Sequence, residues 1–437
     1  MNDTVLSRSD GVLKPASSSY ASPSFASLSF ASLSPLQRLA RKAVLSQLCG
    51  LQYGSLMIET DGEQLHFGHG KPEYCLRVHA PAFWPQVAFG GSVGAGEAFM
   101  AGDWSTDDLT GLLRLLLRNR AVLDGMERGL ARLSAPLRGL WGVMRRNTRA
   151  GSQRNIAAHY DLGNDFYRLW LDETMMYSCA VFEQPMMTLA EASTAKLERI
   201  CRKLDLQPTD HVLEIGTGWG GFALHVASRY GCRVTTATLS QQQFNLARQR
   251  IIDAGLSDRV DVLLTDYRDL AGQYDKLVSI EMVEAVGAAF LDTYFRQCAR
   301  LLKPEGAMLI QAITIADQRY QVALKEVDFI QKHIFPGGFL PSVTALTQAM
   351  TRASDLRGVH LEDIGPHYAT TLARWRENFL YRIDAVRGLG YPERFIRMWL
   401  FYLGYCEAGF IERDIGTVQM LLAKPGWRGA PVLGQLA

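Results

Sequence analysis

The chain predicts an α/β fold: a Rossmann-like doubly wound domain behind a smaller N-terminal α+β module. Three observations predict it. Between positions 211 and 313, apolar segments of strand length alternate with segments of helix length, the order that gives a parallel sheet. The first of these strands, His211–Ile215, runs straight into closely spaced glycines at 216, 218, 220 and 221. Upstream, three short strand-like segments separated by Gly and Pro turns follow a helical stretch.

In order, residues 1–34 are rich in Ser, Ala and Pro and read as a flexible tail. A helix from Pro35 to Leu51 precedes strands at 56–60, 64–68 and 74–79, and together they make an N-terminal module spanning 35–125. A basic helical linker covers 126–151, and the second domain runs from 152 to 437. Its strands are His211–Ile215, Cys232–Thr238, Val260–Thr265, Lys276–Ile280 and, after a Lys-Pro-Glu-Gly turn, Gly306–Ile313. An insertion from Asp317 to Thr371 is expected to cover the sheet edge and form a substrate pocket.

Ligands of such sheets bind outside the C-terminal strand ends, where Gly216, Thr238, Asp266 and Glu281 all fall. The glycines permit tight turning and close backbone approach, and the helix beginning near Phe222 offers free N–H groups to a ligand. A dinucleotide site of the G-x-G-x-x-G type expects an acid about 20 residues on. The segment Val234–Ser240 has none, which favours an S-adenosylmethionine site over a nicotinamide or flavin site.

Lys and Arg total 46 against 44 acids, so net charge argues for no nucleic-acid partner. Locally, ten arginines between Arg114 and Arg154 face only Asp124 and Glu127 and alternate with leucines. That pattern suits an anionic membrane surface as well as a solvated helix packed on its leucine face. The seven cysteines are scattered, never spaced C-x-x-C, which points to a reducing cytoplasm and away from zinc. No apolar run is long enough to span a bilayer, so a membrane association is expected to be peripheral, on the inner face.

Several segments then carry a resemblance: His159–Phe166, Met176–Ala180, the glycine loop, Thr238–Ser240, Asp266–Asp269, Glu284–Gly287, and Tyr320 through Phe335–Pro341. In number, order and spacing they resemble the cyclopropane-fatty-acyl-phospholipid synthase family, with its mycolic acid cyclopropane synthases, over most of residues 50–425. The resemblance implies a methyltransferase domain behind a lipid-binding module. It assigns the S-adenosylmethionine contacts to Tyr177, Ser178, Glu214, Gly216, Thr217, Gly218, Trp219, Gly220, Thr238, Leu239, Ser240, Gln243, Tyr267 and Arg268. It further implies unsaturated phospholipid acyl chains as substrate, and a homodimer.

An isolated alkene is a weak nucleophile, so methyl transfer to it needs a strong electrophile and leaves a carbocation, which aromatic faces such as Tyr177, Phe182 or Tyr402 can stabilise. A base must then remove a proton. In the resemblance that base is a bicarbonate ion, held here by Cys179, Glu284, Ile313 and Tyr402. The family's histidine is replaced by Gln311, and the histidine after the glutamate by Ala285. Glutamine donates a hydrogen bond but takes up no proton. Two products therefore stay open: a cyclopropane ring, or a methyl- or methylene-branched chain. A non-catalytic lipid-binding relative and a small-amine or phenol methyltransferase are the rivals. Cys406 matches a cysteine once taken as nucleophile, but it reads better as a packing residue, with Cys179 the functional thiol.

Overall fold

The computed structural model describes residues 33–131, 151, 162–430 and 432. Residues 1–32 of the tail read over 1–34, most of the basic linker and the segment 152–161 lie outside the described residues. The first helix, Pro35–Leu48, begins where expected because Ser34 caps it, its hydroxyl accepting from Gln37 N–H while the Gln37 side chain reaches back. It ends three residues earlier than the apolar pattern suggests.

Strands β1 (Ser55–Thr60), β2 (Glu63–Gly68) and β3 (Tyr74–Val78) form a sheet ordered β2-β1-β3-β4, with a short β4 (Trp104–Thr106) that sequence pattern missed. Three residues give too little alternation to register. Between β3 and β4 runs the helix Phe83–Ala101, kinked at Gly91, whose φ of 58° lies in the left-handed region. Helices Leu109–Arg118 and Arg120–Arg128 follow.

The second sheet has seven strands in the order β10-β11-β9-β8-β5-β6-β7. The five expected strands are β5 (His211–Ile215), β6 (Arg233–Thr238), β7 (Val260–Leu264), β8 (Tyr274–Ile280) and β9 (Leu302–Ile315), all mutually parallel. The Lys-Pro-Glu-Gly segment falls within the span of β9 but has no register partner on either neighbour: the register on β8 jumps from Leu302 to Ala307, so these four residues loop out of the ladder as the expected turn. Two further strands complete the sheet: β10 (Arg357–Asp363) and β11 (Ile415–Ala423), both joined antiparallel. The stretch 317–371 is thus no pure cover, since it supplies the edge strand β10 together with helices at 317–323, 329–333 and 343–353.

The N-terminal module is not closed on itself. Its core residues Trp84, Phe99 and Trp104 belong to one apolar cluster with Trp399, Phe401 and Leu403 of the helix Glu393–Ile411. The buried Arg397 fastens the two, donating to Phe99 O at 2.5 Å and Trp104 O at 2.9 Å. In the basic stretch, Arg114 and Arg118 pair with Glu412, and Arg120 with Asp414. Among its described leucines, Leu112 and Leu115 are buried and Leu113, Leu116, Leu117 and Leu130 half-buried, so part of the leucine face packs inward.

Candidate functional site

The C-terminal ends of the parallel strands gather the expected residues. After β5, Gly216, Gly218 and Gly220 take φ values of 104°, 52° and 86°. A side chain on Gly218 would meet nothing within 4 Å, so the loop presents bare backbone to open space. Gly216 N–H and Thr217 N–H donate to Ala237 O on β6, at 2.9 and 3.2 Å, which pins the loop to the sheet. Trp219 is buried, with its indole N–H on Asn164 at 2.7 Å.

Beyond β6, Ser240 caps the helix Gln241–Asp253 and the Thr238 hydroxyl donates to Gln243 Oε1 at 3.0 Å, while Leu239 stays half-buried between them. After β7, Arg268 pairs with Asp266 at 2.6 Å and lies over the Tyr267 ring. Ser178 accepts from the ammonium of Lys196 at 2.7 Å. Lys196 is fully buried, and desolvation lowers it to about 8 against the pull of Glu281 and other carboxylates. Glu214 sits in the sheet interior, where its Oε2 lies 2.6 Å from the Thr236 hydroxyl, itself 2.7 Å from that of Thr217. Burial pushes its carboxyl up to about 8. An open, backbone-lined glycine cradle flanked by hydroxyl, amide and aromatic groups fits a bound S-adenosylmethionine.

Beside the cradle stands an aromatic box. Tyr177 contacts Tyr167, Trp170, Phe335 and Trp375, and its hydroxyl meets that of Tyr402 at 2.9 Å. Phe182 belongs to the same apolar cluster, and its N–H donates to His367 Nδ1 at 3.3 Å.

At the mouth of β8 sits a carboxylate that sequence reading noted only as a strand end. Glu281 has φ of 49°, a left-handed setting that costs a non-glycine residue about 1–3 kcal/mol. Its Oε1 accepts from Cys179 N–H at 2.9 Å and from Gln311 Nε2 at 2.8 Å, and its Oε2 accepts from the Tyr368 hydroxyl at 2.6 Å. Nearby, Glu284 Oε1 accepts from Ile313 N–H at 2.5 Å, and its Oε2 is buried with no hydrogen-bond partner among the described residues. Both glutamates keep some accessible surface, but their carboxyl groups are enclosed by protein. Burial raises Glu281, while its three donors pull the other way. Burial and the neighbouring Glu281 push Glu284 up to about 8.

The groups expected to hold bicarbonate are therefore brought together, but they are already occupied. Cys179 N–H and Gln311 serve Glu281, Ile313 N–H serves Glu284, and Tyr402 serves Tyr177. This donor set does not fit an additional free anion. The Cys179 thiol points elsewhere, toward the carbonyls of Ala180 at 3.2 Å and Ile364 at 3.7 Å, and burial holds it protonated. What Cys179 contributes at the site is its backbone N–H, which donates to Glu281 while its thiol is turned away. The Cys406 thiol is likewise pushed up by burial and by Asp328, an environment that suppresses a thiolate nucleophile. Sequence reasoning missed Lys196, Tyr368 and Gln419, and their only signal was polar character at positions that turn out to be buried or enclosed.

A glycine cradle on a doubly wound sheet, facing an aromatic box with enclosed carboxylates, defines an S-adenosylmethionine-dependent methyltransferase. Residues 147–420 match the family model described as mycolic acid cyclopropane synthetase, and the chain belongs to that family. It is 41% identical to the tuberculostearic acid methyltransferase UfaA1 of Mycobacterium tuberculosis, over 80% of this chain and 83% of the relative. It is 38% identical to the cyclopropane-fatty-acyl-phospholipid synthase of Escherichia coli, over 80% of this chain and 87% of that protein. Among solved structures it resembles the mycolic acid cyclopropane synthase CmaA1 complexed with SAH and CTAB. There the TM-score is 0.59 and the identity 32%, covering 62% of this chain and 98% of that one. The protein is an enzyme of S-adenosylmethionine-dependent lipid modification.

Proposed function

We propose that this enzyme methylates a carbon–carbon double bond in the acyl chain of a membrane phospholipid, with Glu281 as the base, and releases a methylene-branched chain. The observation that carries it is the carboxylate of Glu281 standing on Cys179 N–H and Gln311, where a bicarbonate ion was expected.

S-adenosylmethionine, held by the glycine loop, Thr238–Gln243 and Tyr267–Arg268, supplies an electrophilic methyl group. Tyr177 and Tyr402 line an aromatic box whose ring faces favour the carbocation left on the acyl chain. Burial raises the Glu281 carboxyl, and its three donors hold it below the basicity that burial alone would give. Slow proton removal gives time for a hydride to migrate from the methylated carbon to its cationic neighbour. The positive charge then rests on the carbon bearing the methyl group, and a methyl proton passes to Glu281 as its C–H electrons form the C=CH2 double bond of the methylene branch. The name of the tuberculostearic acid methyltransferase, the relative at 41% identity, favours a branched product.

Ring closure is the second reading, favoured by the synthase relative at 38% identity. There Glu281 takes the methyl proton before the hydride moves. Phospholipid chains lie in a bilayer, and no helix among the described residues is long and apolar enough to cross one. Peripheral association with the inner membrane face and a homodimer are part of this proposal and rest on the family resemblance; flotation with anionic vesicles and light scattering test each point.

The decisive test is expression of the full chain in a bacterium lacking its own synthase, with membrane fatty acids examined by mass spectrometry and proton NMR. Vinylidene protons support the branched product, and upfield cyclopropyl protons establish ring closure instead. Unmodified lipid beside well-folded protein overturns both.

A further inference from the structure

Gln311 does not end at Glu281. Its Oε1 accepts from Gln419 Nε2 at 3.0 Å, and Gln419 Oε1 accepts in turn from the Lys203 ammonium at 2.7 Å. Lys203 also binds Glu362 at 2.5 Å, and Arg199 pairs with the same carboxylate. Gln311 and Gln419 are fully buried, as is the side chain of Lys203. The relay crosses three elements: the helix Leu189–Leu204, β11 and β9.

A glutamine amide is nearly symmetric in shape but opposite in polarity at its two ends, so each can turn over with little steric change. Two linked glutamines thus have two states, one in which Gln311 presents N–H to Glu281 and, at 3.3 Å, to Cys179 O, and the other in which it presents C=O. Lysine carries donors only. Because it faces Gln419 Oε1, it selects the state in which Gln311 gives an N–H to Glu281, and linked hydrogen bonds reinforce one another.

We propose that Lys203 is a positioning residue for the base, acting through Gln419 and Gln311 on the orientation of the group that meets Glu281. The proposal rests on the reading of Glu281 as the base. While Glu281 is ionised, its own charge also demands an N–H from Gln311. Once Glu281 has taken a proton, that demand weakens, and Lys203 remains as the fixed end of the relay, with the longer contact of Gln311 to Cys179 O at 3.3 Å beside it. It keeps Gln311 donating and so favours return of Glu281 to the carboxylate for the next turnover. Glu362 and Arg199 hold Lys203 in place.

The test compares Glu281→Gln, Lys203→Met and Gln419→Glu in the full chain, with S-adenosylmethionine and vesicles of unsaturated phospholipid. Cofactor affinity and thermal unfolding are followed alongside turnover. Lys203→Met should lower kcat by roughly 10- to 100-fold, as misplacement of a catalytic group does, with KM and cofactor affinity near wild type. Gln419→Glu is nearly isosteric, but its carboxylate, kept ionised by Lys203, has no N–H for Gln311. It should lower kcat at least as far, and it decides the matter if Lys203→Met fails to fold. Wild-type kcat in a folded Lys203→Met or Gln419→Glu, beside an inactive Glu281→Gln, overturns the relay and leaves the base intact. Wild-type turnover in Glu281→Gln overturns the base reading itself.

Discussion

Glu281 and Gln311 are joined twice: Gln311 Nε2 donates to Glu281 Oε1 at 2.8 Å, and Glu281 N–H donates to Gln311 O at 2.7 Å. Side chain and strained backbone are therefore fixed by one partner. Glu281→Gln should cost about 10²- to 10⁴-fold in kcat, the usual range for a lost general base. Glu281→Gly relaxes the φ of 49° and vacates the carboxylate's place. Added bicarbonate should restore part of its activity while leaving the wild-type rate unchanged; equal dependence in both proteins would count against a resident base.

Glu284 gives a stability prediction whose sign is fixed. Its carboxyl rises from an ordinary 4.5 to about 8 on folding, so the folded state binds the proton more tightly. That contribution is complete below about 4.5 and is lost as pH climbs through 8. Glu284→Gln does not titrate. The variant's melting temperature relative to wild type should therefore increase steadily from pH 5 to pH 8, as read by calorimetry.

Gly218 combines a φ of 52° with an open face. Gly218→Val should raise the dissociation constant for S-adenosylmethionine at least 10-fold by filling the cradle. Its backbone strain should cost only about 1–2 kcal/mol of stability. Calorimetric titration and thermal unfolding separate the two effects.

Tyr402 contributes a ring and a hydroxyl. Tyr402→Phe keeps the ring and should lose under 10-fold in kcat, whereas Tyr402→Leu should lose about 30-fold, the equivalent of a desolvated cation–π contact of about 2 kcal/mol. Equal losses would assign the role to the hydroxyl pair with Tyr177.

Arg397→Met removes two buried hydrogen bonds and a guanidinium stacked on Phe99 at 4.4 Å. It should destabilise the protein by about 3 kcal/mol in denaturant titrations, while kcat at low temperature stays near wild type.

The doubly wound sheet was legible because β5 through β9 are apolar runs punctuated by glycines and helix-length segments. The edge strands were not. β10 mixes exposed and half-buried residues over Arg357–Asp363 without strict alternation, a pattern no stronger than a loop's, and it exists because β11 is there to pair with it. The cofactor loop was visible in local spacing, since glycine chemistry is local. Glu281 was harder, because its significance comes from Cys179, Gln311 and Tyr368, three positions scattered over nearly 190 residues that only the fold brings together. A resemblance to a family that uses an external anion also directed attention to Glu284 and away from the residue three positions earlier.

The clasp between Arg397 and the helix Phe83–Ala101 has a consequence for synthesis on the ribosome. The strands and helices of the first 130 residues emerge with Trp84, Phe99 and Trp104 in need of apolar cover that belongs to residues 393–411. Nearly 270 further residues must be translated before that cover exists, about 15 to 50 seconds at ordinary elongation rates. The nascent chain is thus born sticky, and chaperone supply during that interval should govern how much usable enzyme a cell obtains.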